Sequence, residues 1–298
     1  MSNSLKGILF TLSASVFFAT MAGIVRYLGP QVDAIEIAFF RNVFGTLMFV
    51  PALLRTGIAP LKTDKLGLLC IRSVCNALSM TLFFMALAAM PLVEVTALNF
   101  TIPLWVTIAA GFLLHERLGF NRWMGLAFGF AGALIILRPG AGLVDWGALY
   151  VLLSAAVWSI AVVDIKVLSR TESAMTITLY GAIFNGLLIL PAALFVWTWP
   201  TWTQLAWLCA MGICGTLGHL LYAKALRHAD ASLVSAFDFT RLIWACVIGF
   251  MFFAEFPDVW TVVGALVIFG SAMYVTVRES RAERARKAQA AAEPAPAE

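Results

Sequence analysis

Charge is what this 298-residue sequence has least of: Asp, Glu, Lys and Arg together make up 12% of it, against about 25% in a soluble domain. That shortage excludes an ordinary water-soluble enzyme, a nucleic-acid binder and a disordered chain. Histidine is scarce as well. His115, His219 and His228 are scattered, so no grouped His/Asp/Glu or Ser/His set offers chemistry at an aqueous face, and no glycine-rich phosphate loop is present. We therefore expect no enzyme, no catalytic residue, no cofactor and no nucleic-acid partner. The five cysteines are odd in number, and Cys70, Cys75, Cys209, Cys214 and Cys246 all lie in apolar stretches. Such placement gives neither a disulfide framework nor a zinc cluster; no metal site is expected, and the thiols read as small buried hydrophobes. The period-two alternation of an outer-membrane barrel is missing too.

What is there is apolar: 62% of the residues are hydrophobic, in runs that suit membrane helices of about 20 residues. The clean runs are 7–25, 95–114, 123–137, 146–163 and 259–277, and 173–223 is long enough for two helices broken near Trp197–Pro200. Three further spans, 35–54, 66–90 and 232–254, carry internal charges. The expectation is an all-α polytopic membrane protein of ten transmembrane helices, whose first helix is too long to be a cleaved leader. Beyond Glu279 the chain turns charged and Ala/Pro-rich, and residues 279–298 are expected to be a disordered cytoplasmic tail.

Two halves repeat. A shift of 139 superposes Leu69, Cys70, Cys75, Leu78, Leu82, Ala86 and Leu87 on Leu208, Cys209, Cys214, Leu217, Leu221, Ala225 and Leu226. Without a gap it continues, placing Val95, Ala97, Phe100, Thr101, Trp105, Glu116 and Gly125 on Val234, Ala236, Phe239, Thr240, Trp244, Glu255 and Gly264. A shift of 140 brings Arg26 to Lys166, and Ile37, Phe44, Leu47, Pro51 and Ala52 to Ile177, Phe184, Leu187, Pro191 and Ala192. Residues 1–142 and 143–278 are thus expected to be two five-helix repeats. An odd helix number inverts the second against the first, and the charges switch loops to match: Arg117 and Arg122 face Phe256 and Thr261, while Lys224 and Arg227 replace Met85 and Ala88. Inverted repeats of this kind build secondary transporters with a midplane substrate site.

This arrangement resembles the EamA-type transporters of the drug/metabolite superfamily, closest in kind to their (aromatic) amino-acid exporters. The residues that carry the likeness are Pro91–Leu98 opening helix 4, Glu116 closing it, and Gly125–Gly132 before Ala133–Leu137, similar to that family's fifth helix. The resemblance implies a small-molecule exporter working by alternating access, with an amino acid or similar metabolite as substrate; drug or nucleoside-type export is the alternative, a non-transporting scaffold a distant one. Helix 1 has Ser13, Ala14 and Ser15 where small multidrug relatives use a glutamate.

Ionisable side chains within a bilayer are costly and mark function; here they are Glu36, Arg41, Arg72, Glu94, Asp164, Asp238 and Arg241. Glu36 and Glu94 fall in first helical turns, where a helix N-terminus favours an acid anyway. Asp238 and Arg241, three apart, share a face, and their counterparts Asn99 and Ile102 show that the framework does not require the charges. Either they neutralise each other for packing or they meet substrate. Helix 3 presents a stripe of Arg72, Asn76, Met80 and Phe83, and helix 8 its counterpart, ending in His219 and Tyr222. With Asn99, Trp158, Asp238 and Arg241 these form the candidate substrate-binding set, suited to an amphipathic organic solute. His219 also makes a coupling proton a candidate partner. Trp197, Trp199 and Trp202 read as an interfacial belt.

Orientation follows from the basic residues of the connecting segments. With the N-terminus inside, Lys6, Arg55, Lys62, Lys65, Arg117, Arg122, Lys166, Arg170, Lys224, Arg227, Arg278, Arg281, Arg284, Arg286 and Lys287 are cytoplasmic, against Arg26 and Arg138 outside. Fifteen against two places both termini in the cytoplasm, in the inner membrane. A reporter fused after Arg278 is expected to read cytoplasmic and one between Gly140 and Gly142 periplasmic. Labelling from outside of a cysteine introduced near Lys62 would reverse the topology.

Overall fold

A computed structural model describes residues 3–57, 63–113, 120–138, 146–168, 171–229 and 231–292. All regular structure among them is helical: α1 (Asn3–Leu28), α2 (Ala34–Leu47), α3 (Val50–Thr56), α4 (Leu66–Ala89), α5 (Leu92–Asn99), α6 (Ile102–Leu113), α7 (Phe120–Leu137), α8 (Trp146–Leu168), α9 (Ala174–Phe195), α10 (Trp202–His228), α11 (Ala231–Asp238), α12 (Thr240–Phe253) and α13 (Val259–Ala292). In hydrocarbon a helix satisfies its own backbone groups, which an open strand cannot do. Six segments are long and apolar enough to cross a membrane: Leu5–Leu28, Leu66–Ala89, Leu92–Ala109, Trp146–Ile165, Met175–Phe195 and Trp202–Ala225; Trp123–Leu137, Thr240–Phe253 and Val259–Val275 are shorter apolar helices.

Helix starts are chemically marked. Asp33 accepts from the Ile35 N–H at 2.8 Å, and Ser173 from the Thr176 N–H at 3.0 Å. Thr201 and Gln204 close a reciprocal capping box on α10, with bonds of 3.3 and 2.8 Å, satisfying N–H groups a helix otherwise leaves open. Three expectations differ at element boundaries. The span 35–54 divides into α2 and α3, where Pro51, lacking an N–H, takes a first-turn position. Spans 95–114 and 232–254 each divide as well, at α5/α6 and α11/α12. The tail expected to be disordered is helical as far as Ala292, because 279–292 is, apart from Ser280, made of Ala, Arg, Glu, Lys and Gln, all strong helix formers, and its prolines come only at 294 and 296. The cysteines are free, but none is fully buried, and Cys70 is exposed; a bundle standing in lipid has no need to hide a thiol from its surroundings.

The principal contacts come in matched pairs. α1 packs on α10 as α8 packs on α4; α1 meets α12 as α8 meets α6; α2 lies on α10 as α9 lies on α4. α2 also packs on α9, and α7 on α13. These matches follow the correspondence α1/α8, α2/α9, α4/α10, α5–α6/α11–α12 and α7/α13.

Between membrane helices close approach and hydrogen bonds replace the hydrophobic drive. Ser79 and Ser154 each donate to the other's carbonyl, at 2.9 and 2.8 Å, across α4 and α8. Between α7 and α13, Ser271 donates to the Gly125 carbonyl, and Gly132 meets Gly264 backbone to backbone. A Cβ on Gly132 would stand 2.9 Å from the Gly264 oxygen, and one on Gly264 2.6 Å from that of Gly132. Gly132→Leu is expected to lower stability by about 1–3 kcal/mol through overpacking, read as a reduced thermal midpoint in detergent. Gly270→Leu, on α13 with no atom within 4 Å of its Cβ position, leaves the midpoint unchanged; equal effects would remove the close-packing argument.

Candidate functional site

The two interrupted helices meet each other. At the α5/α6 junction the backbone tightens to i→i−3 bonds, Phe100 N–H to Ala97 O at 3.2 Å and Thr101 N–H to Leu98 O at 3.0 Å, and the Thr101 hydroxyl also donates to Leu98 O at 2.7 Å. At α11/α12 the Thr240 hydroxyl donates to Phe237 O at 2.7 Å, and Leu242 N–H to Phe239 O at 3.0 Å. Thr101 and Thr240 occupy corresponding places under the 139-residue shift, as do Phe100 and Phe239. The two phenylalanine rings stack at 4.0 Å with 16° between their planes.

Around this stack the charged pair assembles. Asp238 ends α11 and Arg241 lies in the first turn of α12; Arg241 Nη2 donates to Asp238 Oδ2 at 3.1 Å, and the Ser15 hydroxyl of α1 donates to Asp238 Oδ1 at 3.4 Å. Both charged side chains are mostly buried, at 19% and 15% exposure. The Arg241 guanidinium stands over two rings, Phe100 at 5.0 Å and Phe18 at 5.7 Å, which offsets part of the cost of withdrawing it from water. Its Nε, however, has no partner. Phe18 in turn meets His219 edge-on at 5.0 Å and Tyr222 at 6.3 Å. Thus His219, Tyr222, Asp238 and Arg241 are brought together, with Phe18 as the shared wall.

The helix 3 stripe adjoins α2 and α9. Arg72 is buried, donates from Nη1 to the Ile177 carbonyl at 3.1 Å, and leaves Nε unpartnered. It lies so close to Gly181 that any side chain there would collide with the guanidinium. Asp164 is half-buried, with Oδ2 unpartnered. Arg41 of α2 lies against Gly215 of α10, whose Cβ would stand 3.4 Å from Arg41 Nε. Arg41, Arg72 and Arg241 all act electrostatically on His219. Met80 is buried, and its sulfur accepts from Asn42 Nδ2 at 3.9 Å. Asn99 is buried at the end of α5, and Asn76, Phe83 and Trp158 are half-buried; Phe83 touches the ring of Phe84.

Other expected features have structural duties. Glu36 is fully buried, and its Oε2 accepts from both the Thr198 hydroxyl at 3.0 Å and the Thr198 N–H at 3.3 Å, tying α2 to the segment before α10. Trp199 and Trp202 are exposed at 86% and 87%, as a belt requires, whereas Trp197 packs against Phe39 and Phe40. Arg26 pairs with Glu255 at 2.9 Å, and Arg138 with Asp258. Sequence reasoning gave no weight to Ser15, Phe18 and Phe100 as site walls, and kept Arg41 only among the intramembrane charges. The repeat offered one signal, since Phe100–Thr101 and Phe239–Thr240 are aligned dipeptides within otherwise clean runs.

If the Asp238–Arg241 pair serves substrate handling, Asp238→Asn leaves a mostly buried cation unpaired and is expected to cost about 3–5 kcal/mol. Asp238→Asn/Arg241→Gln then regains the thermal midpoint without regaining transport. Full transport by the double variant would make the pair purely structural.

Comparison with known proteins gives a coherent picture. The EamA-like transporter family matches the chain twice, over residues 5–138 and 145–277. An S-adenosylmethionine uptake transporter of Rickettsia bellii is 31% identical over 259 residues, 86% of this chain and 88% of that one. A riboflavin transporter of Rhizobium johnstonii is 30% identical over 95% of each chain, and a pseudopaline exporter of Pseudomonas aeruginosa 28% identical over 88% of this chain and 93% of that one. A solved crystal structure at 18% identity superposes with a TM-score of 0.64 over 93% of this chain and 98% of its own, a likeness of fold.

Proposed function

We propose that this chain, which belongs to the EamA-like transporter family, exports amino acids, neutral and aromatic ones included, across the cytoplasmic membrane by alternating access between two inverted five-helix repeats, 1–142 and 143–278. That it is a multi-pass transporter of small molecules and not an enzyme follows from the family; the amino acid, the direction, the inverted repeats and the inward-facing termini are our reading. The matched helix contacts and the double family match support the repeats. The observation that carries the site is the meeting of two helix interruptions at the Phe100–Phe239 stack, with Asp238 and Arg241 beside it. Transporters of this architecture bind solutes at discontinuous helices near the midplane, and here rings and ionised groups stand side by side, as an amino acid with an apolar side chain requires. Arg72, Asn76, Met80, Phe83, Asn99, Trp158, His219 and Tyr222 complete the proposed lining, and His219 is the proposed handle for a coupling proton. The runner-up, a transporter of larger metabolites of drug or nucleoside type, draws on the aromatic group of Phe18, Phe100 and Phe239 and on relatives named for S-adenosylmethionine and riboflavin.

Proteoliposomes preloaded with labelled phenylalanine, leucine, S-adenosylmethionine or riboflavin separate the readings. Efflux of the amino acids is expected, with Asn76→Ala and Tyr222→Ala raising the apparent substrate constant by about tenfold, the worth of one hydrogen bond or ring contact in a dry site, while the protein stays monodisperse. Movement of S-adenosylmethionine or riboflavin with no amino-acid flux would establish the runner-up.

A further inference from the structure

Among the described residues, the cations and acids of the bundle interior are not paired one to one. Among the described residues, Arg41, Arg72 and Arg241 stand in the interior with Asp164 and Asp238. Glu36, at the start of α2, accepts from Thr198 on Oε2 and leaves Oε1 unpartnered. Asp238 is taken by Arg241, and Asp164 acts on Arg72 without forming an ion pair. Among the described residues Arg41 pairs with no acid: it makes a 3.5 Å hydrogen bond to Asn42 of the same helix, and the charge acting on it is another cation, Arg72. Unpaired polar atoms lie here as well. Arg72 Nε has no partner, and Asn185, wholly buried on α9, leaves both its Oδ1 and its Nδ2 unsatisfied. Asn185 belongs to the α2–α9 interface, where the next residue, Gly186, faces Asn42. The framework does not demand these cations. Arg41 and Arg72 correspond under the repeat to Gly181 and Met211, and it is Gly181 that makes room for Arg72.

A cation drawn partly into a membrane bundle without an acid is a costly feature, and a guanidinium is built to receive a carboxylate. We infer that the preferred cargo is a net anion, a metabolite carrying one more carboxylate than ammonium, whose acidic group is received by Arg41 and Arg72 between α2, α4 and α9. This rests on the transport reading above and narrows it: the rings at Phe18, Phe100 and Phe239 would hold the apolar part while the two arginines select for charge.

Three probes sharing one ring decide the matter: N-acetylphenylalanine (net −1), phenylalanine (net 0) and phenylalaninamide (net +1), each added to the purified full-length protein in chloride-free buffer. N-acetylphenylalanine is expected to raise the thermal midpoint at the lowest concentration, and to compete with labelled phenylalanine efflux at least about tenfold better than phenylalanine itself, as a charge-assisted hydrogen bond allows. Arg41→Gln abolishes that preference and Arg41→Lys keeps it in part. Without any probe, Arg41→Gln leaves the midpoint unchanged or raises it, because it removes an uncompensated charge. Equal competition by all three probes, preference for the amide, or a midpoint lowered by Arg41→Gln overturns the inference. Amino-acid efflux without charge preference would sink it alone, whereas absence of all efflux would sink the transport reading with it.

Discussion

The stacked rings of Phe100 and Phe239 are the point from which the rest of the interior is arranged. For two membrane helices to approach each other end to middle, each must open its backbone ladder without leaving polar groups unsatisfied in hydrocarbon. Thr101 and Thr240 do this in the same way, each hydroxyl returning to a carbonyl three residues back. The interruption then carries Asp238 and Arg241 on either side of Phe239, so the ion pair exists where it does because the helix stops being regular there. Phe18 closes the group from α1, and His219 and Tyr222 reach it from α10. Remove the stack and the arginine loses one of its two rings, while the acid loses its fixed distance from the arginine.

Much of the architecture could be read from residues because hydrocarbon imposes length and apolarity together. Clean runs such as 146–163 and 259–277 had to be helices. The interruptions were not legible. A threonine bonded to its own helix leaves no trace in hydropathy, and Pro103, the one breaker nearby, sits just past the first break with no counterpart at the second, where Leu242 stands. Aromatic walls are hidden for a related reason: with 23 phenylalanines in the chain, nothing in composition distinguishes Phe18 or Phe100 from those facing lipid. In residues 279–292 charge density does not imply disorder, because alanine, arginine and glutamate extend α13 on propensity alone.

The asymmetry between the halves is as informative as their likeness. Corresponding positions hold arginine in one half and glycine in the other: Arg41 against Gly181, with Arg72 resting on Gly181 itself and Arg41 on Gly215, the counterpart of Asn76. Both Arg41 and Arg72 lie in the first half, on α2 and α4, so the two halves differ in charge. Relatives named for S-adenosylmethionine, riboflavin and pseudopaline share the family, which shows that the common helical frame tolerates very different cargo. Arg41, Arg72, Asp238 and Arg241 are side chains the repeat leaves free to vary, which is why the proposed selectivity is placed on them.

One end of the bundle is held by charge where the middle is held by rings. Arg26, near the end of α1, meets Glu255 through two nitrogens, at 3.0 and 2.9 Å, and donates to the Ala88 carbonyl at 2.8 Å. Glu255 also accepts from the Leu92 N–H at 2.8 Å, at the start of α5. Four segments, the ends of α1, α4 and α12 and the start of α5, are thereby tied by two side chains, and Arg138 with Asp258 adds a further link between the halves. Ala254 accommodates the turn by taking a left-handed conformation, φ 53°, a mild strain that the ionic knot outweighs. On the proposed alternating access, this knot loosens when its end of the bundle opens. The sequence carries its residues twice, Arg26 and Glu255 corresponding to Lys166 and Glu116. On the alternating-access proposal, strengthening the Arg26–Glu255 contact biases the conformational balance as well as stabilising the fold.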